Sequence, residues 1–202
     1  MGILIRLEEE KDYRAVEHLT REAFWDVYRP GCNEHLIVHK IRRVPAFLGE
    51  LSYIAYVDGS IVGNIIYSKA KVINDEGREF EVLCMGPISV LPSFQRKGIG
   101  SLLMNYSIER ARALGYKAII IFGNPGYYQR FGFINAERYG IKTSSGENFD
   151  AFMALELYDG ALNGITGRYY ADKVFDVQDE ELQIFEREFP FKEKHITDTQ
   201  LK

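Results

Sequence analysis

The sequence predicts a mixed α/β fold, and three observations carry that reading. Apolar residues recur at helical spacing near the N-terminus and again after residue 99. Short runs rich in Ile, Val, Tyr and Phe alternate with those stripes and are bounded by Gly, Asp and Pro turns. A basic, glycine-containing loop then joins a strand to a helix at residues 90–101.

Ile3–Leu7 reads as a first strand. From about Asp12, the apolar groups Val16, Leu19, Ala23, Phe24 and Val27 keep a helical period until Pro30-Gly31 breaks it. Leu36, Ile37, Ile41 and Val44 repeat the stripe in a second helix, stopped before Pro45. Residues 52–57 and 60–72 form a strand pair around Asp58-Gly59, a dipeptide that suits a tight hairpin. After a turn at Asp75-Glu-Gly77, a long strand runs from about Arg78 to Leu91 and contains Gly86-Pro87. Proline has no N–H for the ladder, so this strand is expected to break there and free backbone groups at Ile88 to Val90. Ile99, Leu102, Leu103, Tyr106 and Ala113 line the next helix, with Gly115 as its C-cap. Residues 117–122 form an apolar buried strand. A short helix opened by Asn124-Pro125-Gly126 follows, and then a strand over Phe149 to Leu157. Beyond Gly160 a Gly- and Tyr-rich stretch precedes a charged segment with Leu182, Phe185 and Phe189 at helical spacing, and residues 190–202 read as a solvated tail.

Composition excludes several function classes. A hydrophobic fraction of 46% and a charged fraction of 27% are those of an ordinary globular chain. A net charge of −4 with no basic stripe argues against a nucleic-acid partner. No window approaches the ~20 apolar residues that a membrane span needs. The start Met-Gly-Ile-Leu-Ile-Arg has too short an apolar run for a signal peptide, so the expected compartment is the cytoplasm, with Cys32 and Cys84 as reduced thiols. His35 and His39 stand four apart on a helix but lack a third ligand at metal spacing; no metal is expected, and His18, His35 and His39 read as surface histidines.

The chemistry concentrates in Gln95-Arg-Lys-Gly-Ile-Gly-Ser101. Helix N-termini carry unpaired amides and partial positive charge, and Arg96 and Lys97 add two full charges at the same end. Gly98 and Gly100 let the backbone turn and a ligand approach closely. The combination suits a pyrophosphate. It is neither a P-loop nor a dinucleotide fingerprint.

Together with its preceding strand and following helix, this segment resembles the phosphate-binding signature Gln/Arg-x-x-Gly-x-Gly/Ala of the GNAT superfamily of acyl-CoA N-acyltransferases. Tyr128-Gln-Arg-Phe-Gly132-Phe133 resembles the family's Tyr-x-x-x-Gly-Phe segment. The resemblance covers roughly residues 3 to 157. It implies a central mixed, largely antiparallel twisted sheet, splayed after the fourth strand and flanked by helices. A GNAT domain over residues 1–157 would then carry a C-terminal extension, 158–202, packed on the domain or on a partner subunit of a homodimer.

The resemblance also implies the site. The backbone of Ile88, Ser89 and Val90 would lie along the pantetheine arm of acetyl-CoA, while Gln95, Arg96, Lys97, Gly98, Ile99, Gly100 and Ser101 would hold its pyrophosphate. Asn124 falls where relatives place a cofactor-contacting asparagine, at shorter spacing to the tyrosine than usual. Tyr128 would be the general acid for the CoA thiolate, a task suited to a phenol of pKa about 10; its neighbour Tyr127 is the rival. The base is left open: Glu79 and Glu81 lie on the strand before the loop, and the frequent glutamate position falls at Cys84 or a neighbour. The acceptor, a small-molecule or protein amine, would meet residues 25–34 and 139–148, with Trp25, Tyr28 and Tyr139 suited to an amphipathic amine. The alternative to an N-acetyltransferase is a non-catalytic acyl-CoA-binding regulatory domain.

Overall fold

The structure, a computed structural model, describes residues 2–200. It contains strands β1 (Leu4–Leu7), β2 (Tyr53–Val57), β3 (Ser60–Ile73), β4 (Glu79–Val90), β5 (Ala118–Phe122), β6 (Ile134–Asn135), β7 (Ile141–Lys142), β8 (Phe152–Glu156) and β9 (Gly167–Tyr170). The helices are α1 (Tyr13–Phe24), α2 (Glu34–Ile41), α3 (Ile99–Ala113), α4 (Pro125–Tyr128) and α5 (Asp179–Glu186). The strands join in the order β1-β2-β3-β4-β5-β8-β6, and β9 pairs with β3 and β7. The sheet is mixed and mostly antiparallel: β1–β2, β2–β3, β3–β9, β5–β8 and β6–β8 are antiparallel, while β4–β5 and β7–β9 are parallel.

The chain forms two compact units. The first comprises Met1–Ile66, Pro87–Leu103 and Lys173–Lys202. Its hairpin turns at Asp58 and Gly59, both at positive φ (48° and 82°), the geometry whose twist matches that of the flanking strands. Val16 of α1, Val38 of α2 and Ile54 of β2 are all buried and pack as one cluster, which fixes both helices on the sheet. The second helix is shorter than its stripe suggests: α2 stops at Ile41, and beyond it the amides of Arg43 and Val44 bond back only three residues.

The C-terminal segment of this unit refines one expectation. Leu182, Phe185 and Phe189 do form one apolar face, and it buries Leu36 of α2 in the same chain. Beyond it, residues 190–200 are mostly exposed, as the sequence suggests, yet they are bonded back to the fold. Trp25 Nε1 donates to the Glu193 carbonyl at 2.9 Å, Thr197 Oγ1 to the Asp26 carbonyl at 2.9 Å and Thr199 Oγ1 to the Val27 carbonyl at 2.7 Å. The buried Arg21 anchors the junction, donating from Nε to Glu186 at 2.8 Å and from Nη2 to the Pro190 carbonyl at 3.1 Å, with its guanidinium 4.2 Å from the Trp25 ring centre.

His35 lies in the same place, fully buried, with its ring 5.3 Å from that of Phe185 and 5.1 Å from that of Phe189. It is no surface residue. Its Nδ1 is 3.3 Å from Cys32 Sγ and its Nε2 3.0 Å from Glu186. Burial pushes its pKa down to about 4, so it is neutral near pH 7. His39 is paired with Glu17 at 2.8 Å, and His18 meets the edge of Phe189.

The second unit comprises Tyr67–Gly86 and Met104–Asp172. Five pairs join β5 to β8, but the parallel ladder between β4 and β5 holds only Leu83↔Ile119 and Cys84↔Ile120. It ends two residues before Gly86, at φ 135°, and Pro87; β4 itself runs unbroken to Val90, so the break expected there lies in the ladder to β5 and not in the strand. The sheet is therefore splayed on the β5 side of β4. Gly115 caps α3 at φ 81°, with the Tyr116 amide bonding back to the Ala111 carbonyl at 3.2 Å.

Candidate active site

The loop between β4 and α3 keeps its polar groups in order by local bonds. Leu91 N–H donates to the Val62 carbonyl at 2.9 Å, which holds the end of β4 on β3. Pro92 opens a short 3-10 turn, after which Gln95 Nε2 donates to the Val90 carbonyl at 3.1 Å and Lys97 Nζ to the Ser93 carbonyl at 2.8 Å. Arg96 takes φ 60°, a left-handed conformation that a side chain adopts only at a cost, and Gly98 follows at φ 83°. Gln95, Arg96, Lys97 and Gly98 are all exposed. The first α3 bond of this end runs from the Leu102 amide to the Gly98 carbonyl at 2.9 Å, so the amides of Ile99, Gly100 and Ser101 precede the intrahelical ladder.

Just upstream, Ser89 is buried, and its hydroxyl is 3.0 Å from that of Thr20 on α1. That side chain belongs to the core. The flanking Ile88 and Val90 are half-buried. What this stretch offers a ligand is backbone.

In the second unit, Asn124 is the N-cap of α4, its Oδ1 accepting the Gly126 amide at 2.8 Å. Four residues on, the half-buried Tyr128 ring lies directly over Gly123, at the end of β5. A Cβ built at residue 123 would sit 2.2 Å from Tyr128 Cε2 and 2.6 Å from Cδ2, far inside contact distance, so only glycine admits the phenol there. Phe133, fully buried, meets the Tyr128 ring edge-on at 5.7 Å. Tyr127 meets the Tyr128 ring edge-on at 5.0 Å, and its own ring lies under the Arg130 guanidinium at 4.5 Å and tilted against Phe131 at 5.5 Å. Gly123 is the residue that sequence reasoning misses. Its only signal is a glycine between a buried strand and an Asn-Pro helix start.

The glutamates on β4 face solvent, Glu81 paired with Lys69 at 3.0 Å and Glu79 with Lys71 at 2.6 Å. Cys84, further along the strand, is buried against Tyr169 and Ser68. Burial pushes its thiol up to about 11, against a smaller downward pull from those two hydroxyl groups, so the position is neutral near pH 7. The proposed acceptor residues differ in setting. Trp25 lies beneath the C-terminal segment, Tyr28 is exposed, and Tyr139 is half-buried in a 3-10 turn before β7.

The acetyltransferase (GNAT) family model matches residues 14–133, more than half of the chain, including the loop after β4 and Tyr128. The chain belongs to the GNAT acetyltransferase family. A GNAT relative from Escherichia coli K12, the uncharacterized N-acetyltransferase YhbS, is 29% identical over 166 residues, 82% of this chain and 93% of its own. The crystal structure of E. coli YhbS in complex with CoA matches with a TM-score of 0.77 at 27% identity, covering 87% of this chain and 92% of that one. A GNAT family acetyltransferase from Brucella melitensis in complex with acetyl-CoA matches with a TM-score of 0.69 at 28% identity, covering 87% and 99% of the two chains.

The residues present fit such a cofactor. A Cβ at Gly98 would meet nothing within 4 Å, so the loop opens to space. Among the described residues neither Arg96 nor Lys97 has a carboxylate within salt-bridge distance, which leaves both charges for a ligand. No cluster of three or more His, Cys, Asp or Glu suited to a metal occurs among the described residues, and no helix there is long and apolar enough to cross a membrane.

Proposed function

We propose that this protein is an acetyl-CoA-dependent N-acetyltransferase that delivers the acetyl group to a primary amine, of a small molecule or a protein, by direct attack. The loop after β4 carries the reading: two exposed cations and open amides at the start of a 15-residue helix. Structures similar to this chain hold CoA and acetyl-CoA. The acetyl-transferring domain spans residues 1–157, with 158–202 as its extension. The site of action is the cytoplasm, where the two unbonded cysteines stay reduced.

Bound acetyl-CoA supplies the acetyl group as a thioester. The amides of Gly98, Ile99, Gly100 and Ser101 donate to its pyrophosphate, and Arg96 and Lys97 offset the charge. The backbone of Ile88, Ser89 and Val90, beyond the end of the β4–β5 ladder, pairs with the pantetheine amides, and an N–H there polarises the thioester carbonyl. Asn124 uses its oxygen as a cap and keeps its NH₂ for the cofactor. Tyr128, seated on Gly123, gives its proton to the departing sulfur. The amine attacks as its free base, the C–S bond breaks as sulfur takes the Tyr128 proton, and the proton shed by the nitrogen on forming the amide restores the Tyr128 phenol through solvent.

Isothermal titration calorimetry with acetyl-CoA tests the binding half of this reading. The wild type binds, and Gly98→Asp, which places a carboxylate at the phosphate position, weakens binding at least tenfold while the fold is retained. Unchanged affinity in the folded variant refutes the assignment of this loop.

A further inference from the structure

Lys142 of β7 and Arg168 of β9 are register partners, side by side on adjacent parallel strands. Like charges opposite one another across a strand pair are destabilising, and a chain normally separates them or places a carboxylate between them. Three cations of the same unit are paired, Lys69 with Glu81, Lys71 with Glu79 and Arg112 with Glu109; Lys142 and Arg168 are not, although they stand side by side. Among the described residues neither Lys142 nor Arg168 has a carboxylate within salt-bridge distance, and the only side-chain bond of Arg168 runs from Nη1 to the Ser144 carbonyl at 3.2 Å.

Both line a cleft of about 400 Å³, whose lining also includes Asp75 and the glycines 140, 146 and 167. Asp75 faces the same space without meeting either cation. The cleft is shaped by backbone. At Gly167, φ 130°, a Cβ would stand 2.1 Å from the Ile73 carbonyl oxygen, so β9 lies on the end of β3 at a distance no other residue permits. That contact fixes where Arg168 projects. The Arg168 guanidinium in turn rests 3.5 Å from a Cβ position on Gly146, over the turn between Thr143 and Glu147. Two exposed cations over a floor poor in side chains place positive charge together where an anion has access.

We propose that this cleft binds a small anion through a phosphate or carboxylate group, with Arg168 as the forked donor, Lys142 as the point charge and Asp75 limiting the charge it accepts. The cleft uses none of the residues assigned to acetyl-CoA or to proton transfer. Titration of inorganic phosphate, and separately of malonate, into ¹⁵N-labelled protein tests it, because the amides of Gly140, Gly146 and Gly167 report this cleft while those of Gly98 and Gly100 report the other loop. The expected result is a saturable shift at the first three, with affinity about tenfold weaker in Lys142→Gln or Arg168→Gln and tighter in Asp75→Asn. The probe that binds more tightly identifies the phosphate or the carboxylate as the natural group. Shifts confined to Gly98 and Gly100 for both probes, or equal affinity in a folded Lys142→Gln/Arg168→Gln variant, overturn the proposal.

Discussion

Acid should weaken this protein through one buried ring. His35 is fully buried between Cys32, Glu186 and the rings of Phe185 and Phe189, and burial lowers its pKa from 6.5 to about 4. The folded state therefore binds a proton at His35 only below about pH 4, whereas the unfolded chain takes one up at about 6.5. Between those values the unfolded state holds more protons, so stability falls as pH falls. The contribution is complete above pH 6.5, is lost progectively on the way down and is gone near pH 4. A depression of about 2.5 pH units at 1.36 kcal/mol each is about 3 kcal/mol, a large share of the 5–15 kcal/mol typical of folded proteins (roughly). Urea unfolding of the wild type and of His35→Gln at pH 7, 5.5 and 4.5 measures it, since the variant keeps a polar side chain of similar reach but cannot titrate. The difference between the two proteins should shrink by about 1.4 kcal/mol per pH unit across the window. Parallel curves, with the variant losing stability on acidification as steeply as the wild type, would show that His35 does not govern the effect.

Three further outcomes follow from particular contacts. Tyr128→Phe should lower kcat by about 10²–10⁴ with little change in acetyl-CoA affinity, while Tyr127→Phe should be mild; steady-state kinetics on both decides which phenol acts. Gly123→Ala should imitate Tyr128→Phe in kcat, because its Cβ would displace the Tyr128 ring, and a fully active Gly123→Ala removes the argument for that seat. Phe185→Ala, at a side chain 5% exposed, should cost about 3–5 kcal/mol of local stability, read as faster amide exchange across α5, whereas Phe191→Ala, at 95% exposure, should change almost nothing.

The legible parts of the fold are those set by local chemistry. Asp58-Gly59 specifies its hairpin because both residues tolerate positive φ, and Gly86-Pro87 announces the end of the β4–β5 ladder because proline cannot donate. The loop at Gln95–Ser101 is legible for the same reason: glycines, cations and a helix start are adjacent in sequence. β9 was hidden because Gly167–Tyr170 owes its extension to β3 and β7, distant partners that no local pattern encodes. β6 and β7, two residues each, are too short to show a period. The terminal segment is exposed as its polarity suggests, but its attachments are not legible, because they use main-chain carbonyls and the buried Arg21, neither of which leaves an apolar signature. Tyr128 could be picked out by motif, but the reason it stays in place, a glycine five residues earlier, is visible only in three dimensions.

The central claim is transfer of an acetyl group from CoA to nitrogen. Incubation with isotopically labelled acetyl-CoA and a mixed panel of primary amines, read by mass spectrometry of the amines alongside release of free CoA thiol, tests it most directly. The account predicts label on the nitrogen of at least one amine in amounts matching the thiol released, with both signals lost together in Tyr128→Phe. Tight acetyl-CoA binding with neither label transfer nor amine-dependent thiol release, across small amines and peptide amino groups alike, would contradict it and leave a CoA-binding domain without catalysis.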